Sequence, residues 1–305
     1  MPTHKRTTTK PPAMSLQPRP WGFVGCFTAM ASPCELLMQV DNKHIARQML
    51  TLAYDEAQRI EQKFSRFIEG NIVWHMNHAQ GKGLLIDPET VQLLQFAQQC
   101  YALSDKAFDI SAGSLMVLWR FDGHHQMPHQ SDIDAALRHV GFNRISLTNN
   151  ILTMPAGMSV DFGGIGKEYA VDRTAQLLAQ RWPQHSVLVN FGGDIACPIT
   201  HKDGWQVGIE NPHKLDNAAA LLTIRQGALA TSGNTRRYID VAGKRYGHII
   251  NPQTGYPVEQ APLSVTVLAP NCVMAGMLAT MSMLQGAQAE TFLQQQGVDF
   301  TVFRG

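Results

Sequence analysis

Two apolar runs in the middle of the chain, both expected to be strands, each end in a glycine pair, and a helical pattern lies between them. Met158 to Phe162 runs into Gly163-Gly164-Ile165-Gly166-Lys167, and Ser186 to Phe191 runs into Gly192-Gly193-Asp194. Between them Val171, Ala175, Leu178 and Trp182 recur at spacings of four, three and four, the period of one helix face. Glycine lets the backbone turn through positive φ and lets a ligand come close to the amide N–H groups. A helix beginning near Lys167 adds the positive end of its dipole, so residues 163–167 are a candidate phosphate cradle. The competing reading is a pair of ordinary turns. Two familiar phosphate loops are excluded. A Walker A loop requires glycine where Asp161 stands and Ser or Thr where Glu168 stands. The dinucleotide pattern G-x-G-x-x-G fails at Tyr169.

The other elements alternate irregularly. Helices are expected over His44 to Phe64, Thr90 to Leu103 and Cys272 to Leu284. A short one is expected after an N-capping Ser131, ending at Gly141. Strands are expected at Arg144 to Thr148, Ile151 to Met154, Trp205 to Glu210, Ala220 to Arg225, Tyr238 to Val241 and Ser264 to Leu268. Glu69 to Gly83 reads as a loop. No internal repeat or interdomain linker breaks the 305 residues. The irregular order excludes a doubly wound sheet and predicts a compact α+β fold.

Residues 1–20 carry five prolines and a run of basic residues, and read as a flexible tail before one domain over 21–305. The apolar run Trp21 to Ala31 imitates an export signal, with Ala29-Met30-Ala31 resembling a peptidase site. Its two glycines and short length favour a first β-strand instead. Charge nearly cancels, 25 Lys plus Arg against 24 Asp plus Glu, which argues against binding nucleic acid by bulk charge. Five cysteines without a C-x-x-C pair argue against a disulfide framework and for a cytoplasmic chain, export being the alternative. No stretch reaches the ~18 apolar residues of a membrane span. His124-His125 with His129 lack carboxylates other than Asp122 and read as exposed histidines, not a zinc site.

A third polar segment combines Ala230-Thr231-Ser232-Gly233, Arg236-Arg237 and His248-Ile249-Ile250-Asn251-Pro252 to Gly255-Tyr256-Pro257. Hydroxyls, paired arginines and a histidine suit an anionic ligand, or else a polar hairpin in which His248 is simply hydrogen-bonded.

In order along the chain, these segments resemble the FAD:protein FMN transferases of the ApbE family. The carrying motifs are Ala107-Phe108-Asp109-Ile110-Ser111-Ala112-Gly113 with Leu118-Trp119, Val160 to Lys167 continuing to Asp172, Val189 to Asp194, Trp205 to Ile209, Ala230 to Gly233, and His248 to Pro257. The resemblance covers roughly residues 21 to 286 and implies an ApbE-like fold. It implies FAD as substrate, Mg²⁺ as cofactor, AMP as leaving group, and an acceptor flavoprotein with an exposed Thr or Ser. By resemblance Met30, Ala107, Phe108, Asp109, Gly163 and Ile250 lie on the FAD. Lys167 and Asp194 make polar contacts or support the loop, and Trp74 meets the isoalloxazine. The Gly166 carbonyl and Thr280 meet the metal, and His248 is the general base or positions the nucleophile.

One departure stands out. Where the family helix reads Ala-Asp-Ala-Leu-Ala-Thr, this chain reads Ala275-Gly276-Met277-Leu278-Ala279-Thr280. The metal-binding carboxylate is replaced by a residue with no side chain. Glu168 stands where the family more often has glycine and is the candidate replacement charge. The alternative function is flavin binding or FAD pyrophosphate cleavage without transfer to protein.

Overall fold

The computed structural model describes residues 14–119, 121, 126–241 and 244–305. Its strands are β1 Ser15–Arg19, β2 Gly22–Ala29, β3 Ser32–Met38, β4 Leu84–Leu85, β5 Ser146–Thr148, β6 Ile151–Thr153, β7 Val187–Phe191, β8 Asp194–Cys197, β9 Trp205–Glu210, β10 Ala218–Ile224, β11 Gly227–Gly233, β12 Tyr238–Val241, β13 Lys244–Gly247, β14 Ser264–Ala269 and β15 Phe300–Phe303. The helices are α1 Lys43–Phe64, α2 Ile72–Asn77, α3 Pro88–Leu103, α4 Gly113–Leu118, α5 Gln130–Leu137, α6 Gly166–Arg181, α7 Cys272–Leu284 and α8 Ala289–Gln296.

Eight strands form one sheet in the order β1-β2-β3-β7-β8-β11-β14-β15, and every neighbouring pair is antiparallel. The α+β expectation is met. Helices α1, α6 and α7 cover one face. On the other, the β9–β10 hairpin places Trp205 and Val207 against Leu188, Ile195 and Leu229. This two-sided cover explains the unbroken apolar run of β7, where Val187, Val189 and Phe191 face the helices and Leu188 faces the hairpin. Each such side chain contributes roughly 1.5–3 kcal/mol by burial. Strand β9 needs only one apolar face, so Trp205, Val207 and Ile209 are buried while Gln206 and Glu210 are exposed.

Helix α1 starts at Asn42, whose side chain accepts from the amides of His44 and Ile45. Helix α7 starts at Asn271 in the same way, through Met274 N. It is apolar on more than one side because it lies between the sheet strands β11 and β14 and the helices α6 and α8.

Several expectations are corrected. Ser15–Arg19 is not tail but an edge strand paired along its length with β2, and residues 1–13 lie outside the described residues. The signal-like apolar run is therefore the second strand, β2, and a two-residue turn. The stretch 69–83 contains α2, capped by the Asn71 side chain on Trp74 N. Helix α5 begins one residue earlier than Ser131, after His129, with no side-chain cap. Met158 to Phe162 is no sheet strand, because its backbone groups are taken elsewhere. The Asn77 side chain bonds both Val160 N, at 2.8 Å, and Val160 O, at 3.0 Å, while Asp161 N donates to Ile110 O.

Candidate active site

The second glycine pair makes the tight turn from β7 to β8. Gly192 and Gly193 have φ of 61° and 95°, in the left-handed region that favours glycine. Asn190 Oδ1 holds the turn by accepting from Gly193 N at 2.9 Å. The turn brings Asp194, 2% exposed, under the start of α6, where Lys167 Nζ lies 2.8 Å from its Oδ2. Burial alone pulls the Lys167 ammonium down, but Asp194 and then Glu168 outweigh it and the net direction is up. Burial raises the Asp194 carboxyl, with Lys167 opposing. The β2–β3 hairpin closes over the same turn. Gly192 N donates to Pro33 O, and a Cβ at Gly192 would stand 2.7 Å from Ser32 Cβ. The tip of that hairpin, Met30 and Ala31, has φ of 51° and 56°, and Met30 N donates to Glu61 Oε2 at 2.8 Å.

The first glycine pair behaves differently. Gly163 N donates to Asp161 Oδ1 at 2.8 Å, and Ile165 N and Gly166 N both donate to Phe162 O. Three amides of the candidate cradle are thus already used inside the turn, so contact between Gly163 and a ligand does not run through its amide. Arg66 steadies the turn by pairing with Asp161 at 3.0 Å. The Phe108 ring packs on Gly164, where a Cβ would approach it to 3.3 Å.

Helices α6 and α7 are locked by a residue whose role the sequence did not disclose. The two Asp172 oxygens accept from Cys272 N and Val273 N at 2.7 and 2.8 Å, capping α7 from α6. The lock sets Glu168 against Gly276. A Cβ on residue 276 would lie 2.5 Å from Glu168 Cγ and 2.7 Å from Oε1. Glu168 is buried, its Oε2 has no partner among the described residues, and burial pushes its carboxyl up to about 8, with Asp194 adding to the rise. One turn after Gly276, Thr280 Oγ1 shares a 2.8 Å hydrogen bond with Ser232 Oγ of β11.

The remaining candidates fall in three further places. Asp109 is spent on its own loop. Its Oδ1 accepts from the amide and hydroxyl of Ser111, and its Oδ2 accepts from Phe142 N. Ala107 is half-buried beside it. Trp119 Nε1 donates to Gly255 O at 2.8 Å and pins the turn whose first limb carries buried Ile250, bridged to Pro257. His248 precedes this turn, half-buried, with its ring edge-on to Phe121 at 6.1 Å. Its Nδ1 has no partner among the described residues. Burial, then the Arg237 charge, lowers it to about 4, so the imidazole is neutral. Trp74, on α2, stacks on His78 at 4.2 Å. His124 and His125 lie outside the described residues.

A family model described as "ApbE family" matches residues 30–302. The chain belongs to the ApbE family. It is 31% identical over 251 residues to a protein of Klebsiella pneumoniae named "FAD:protein FMN transferase", an alignment covering 79% of this chain and 75% of the relative. A namesake from Escherichia coli is 32% identical over 65% of this chain and 59% of its own length. The fold matches the crystal structure of the ApbE protein of Thermotoga maritima with a TM-score of 0.83 at 26% identity, over 95% of this chain and 94% of that one.

The donor set fits a hard divalent cation. Buried carboxylate oxygen Glu168 Oε2 is unpaired, and the nearby hydroxyls are of the type such ions accept. Among the described residues no three His, Cys, Asp or Glu side chains converge on one point. A separate groove of about 490 Å³ between α1 and α6, lined by Arg47, Asp55, Arg59 and Arg181, contains none of the candidate residues.

Proposed function

We infer that this ApbE-family enzyme transfers FMN from FAD to a Thr or Ser hydroxyl of a partner flavoprotein, with AMP as leaving group. Family membership over 30–302 supports the reaction class. The observation that carries the chemistry is the neutral His248 ring with Nδ1 unpaired. It is a base ready to accept a proton from a hydroxyl at neutral pH. The acceptor oxygen bonds to the FMN phosphorus, the pyrophosphate P–O bond breaks, and the electron pair leaves with AMP. His248 takes the hydroxyl proton. Met30, Trp74, Ala107, Phe108 and Ile250 form the FAD-binding surface, with Asp109 and Gly163 shaping their loops and the Lys167–Asp194 pair fixing the glycine turns. Mg²⁺, held beside the Gly166 carbonyl and the Thr280 hydroxyl, neutralises charge on the pyrophosphate when bound.

Incubation with FAD, Mg²⁺ and a purified apo-flavoprotein bearing an exposed threonine tests this. Flavin fluorescence on the acceptor band in a denaturing gel is expected, and His248→Ala lowers its rate by about 10²–10⁴-fold. AMP release without a fluorescent acceptor means pyrophosphate cleavage alone. Because His248 titrates near 4, lowering the pH leaves the base functional until about pH 5 and removes it only below. An acid limb near 6.5 in the transfer rate counts against His248 as the base.

The same reading places the chain in the cytoplasm, in keeping with five free cysteines, four of them buried. Among the described residues no helix is long and apolar enough to cross a membrane. Fractionation of cells expressing the full chain tests the compartment.

A further inference from the structure

We propose that the carboxylate that holds the cation in this chain is Glu168, reaching from α6 into the space that Gly276 leaves bare on α7. The proposal rests on the transferase reading only for the identity of the ion's substrate partner; the site itself stands on geometry.

Four observations converge. Glu168 is only 8% exposed, yet its Oε2 finds no donor among the described residues. Buried carboxylates are otherwise paired or coordinated, since desolvating an unpaired one is costly. The groups around it are engaged elsewhere. Lys167 is committed to Asp194 at 2.8 Å, and Asp172 is spent on the α7 amides. A partner for Glu168 Oε2 is what this arrangement lacks among the described residues.

Third, the space is reserved. Any side chain at residue 276 would overlap Glu168, whose Cγ and Oε1 lie 2.5 and 2.7 Å from the Cβ position. Glu168 thus occupies the volume that a residue on α7 would fill, and a carboxylate from either helix can serve, but not both. Fourth, Gly276, against which the carboxylate packs, lies one helical turn before Thr280 on the same α7 face, and the Thr280 hydroxyl is oriented by Ser232 at 2.8 Å. A carboxylate and a hydroxyl with open positions between them suit Mg²⁺ or Mn²⁺ better than a softer ion.

The test reads metal binding, not turnover. Mn²⁺ is titrated into the full-length protein, with and without FAD and with no acceptor, and free Mn²⁺ is followed by electron paramagnetic resonance. The isosteric Glu168→Gln raises the Mn²⁺ dissociation constant by at least about tenfold, a loss equal to one charged ligand. The swap Glu168→Gly with Gly276→Asp moves the carboxylate to α7 and returns affinity to within about threefold of wild type. Gly276→Asp alone crowds the site and binds more weakly than the swap. Wild-type affinity in Glu168→Gln, or no Mn²⁺ uptake by the wild type at millimolar metal, overturns the proposal. FMN transfer by the same protein preparations, after the acceptor flavoprotein is added in a second step, separates the two readings. Mn²⁺ held through Glu168 without transfer sinks the transferase reading and leaves the carboxylate assignment standing. Transfer with Mn²⁺ affinity indifferent to Glu168 does the reverse.

Discussion

Two clusters of charge meet α6 and are built on opposite terms. In the first, between α1, α3 and α6, Arg59 bonds Glu56 and Glu89, Lys63 bonds Asp87 and Glu89, Arg173 lies 3.8 Å from Glu56, and Tyr169 donates to Glu89. Three cations face three carboxylates, all but Glu56 partly solvated. Glu89 is held well below the usual carboxylate range, first by Arg59. In the second, Lys167 pairs with buried Asp194, buried Glu168 lies beside them, and Asp172 is given over to the α7 amides. Burial, the largest cause, drives Glu168 up. The first cluster pairs every carboxylate with a cation and fastens helices together. The second leaves one buried carboxyl oxygen, Glu168 Oε2, without a partner among the described residues. Satisfied polar networks stabilise, whereas an unsatisfied buried group is retained at a cost and marks a place where a ligand acts.

The contrast can be broken by substitution. Lys167→Met strands Asp194 without its cation and lowers the unfolding free energy by about 3–5 kcal/mol in urea titrations. Adding Asp194→Asn regains at least half of it. Equal losses in the single and double variants mean that the pair is not the reason.

Gly276→Ala forces its methyl into Glu168 and costs about 1–3 kcal/mol. In a Glu168→Gly background the same change costs less than about 0.5 kcal/mol, because the obstacle is gone. A double-mutant cycle with no coupling refutes the packing.

In the solvated cluster, Glu89→Gln costs about 1–2 kcal/mol at neutral pH, an estimate reduced for the partial exposure of Arg59 and Lys63. Its folded pKa lies below the ordinary 4.5, so the stability it confers is present above that pH and lost as pH falls. Unfolding midpoints of Glu89→Gln therefore decline less between pH 5 and 3 than those of the wild type. The smallest effect is expected where the network is unsatisfied. Glu168→Gln leaves the metal-free protein unchanged or stabilises it by up to about 1 kcal/mol. A loss greater than that means Glu168 is paired, and the two clusters are alike after all.

Legibility followed the range of the interaction. The helix at 166–181 and the one at 272–284 were readable because the apolar face of one and the apolar run of the other are local. The tail boundary was misplaced because Ser15–Arg19 alternates poorly and is held only by pairing to β2 at the sheet edge. Met158 to Phe162 had a strand's composition, but Asn77, 83 residues distant from Val160, took its backbone groups. Asp109 was read as a ligand contact by resemblance, and folding adds that its oxygens accept from Ser111 and from Phe142, 33 residues on. No spacing rule could have disclosed Asp172, whose partners begin 100 residues downstream.

By itself the sequence determined the two glycine pairs, the helix between them and the motif order of an ApbE-family protein. These depend on backbone freedom and periodicity, which neighbours in the chain express directly. The same glycine pairs then parted ways in three dimensions. Gly192-Gly193 makes the turn that carries Asp194 to Lys167, while the amides of the first pair's turn are largely consumed by Asp161 and Phe162. The missing side chain at Gly276 looked like a loss in one dimension. Packing of α6 on α7 shows the space filled by Glu168, because which side chain occupies a volume is decided only when distant segments meet.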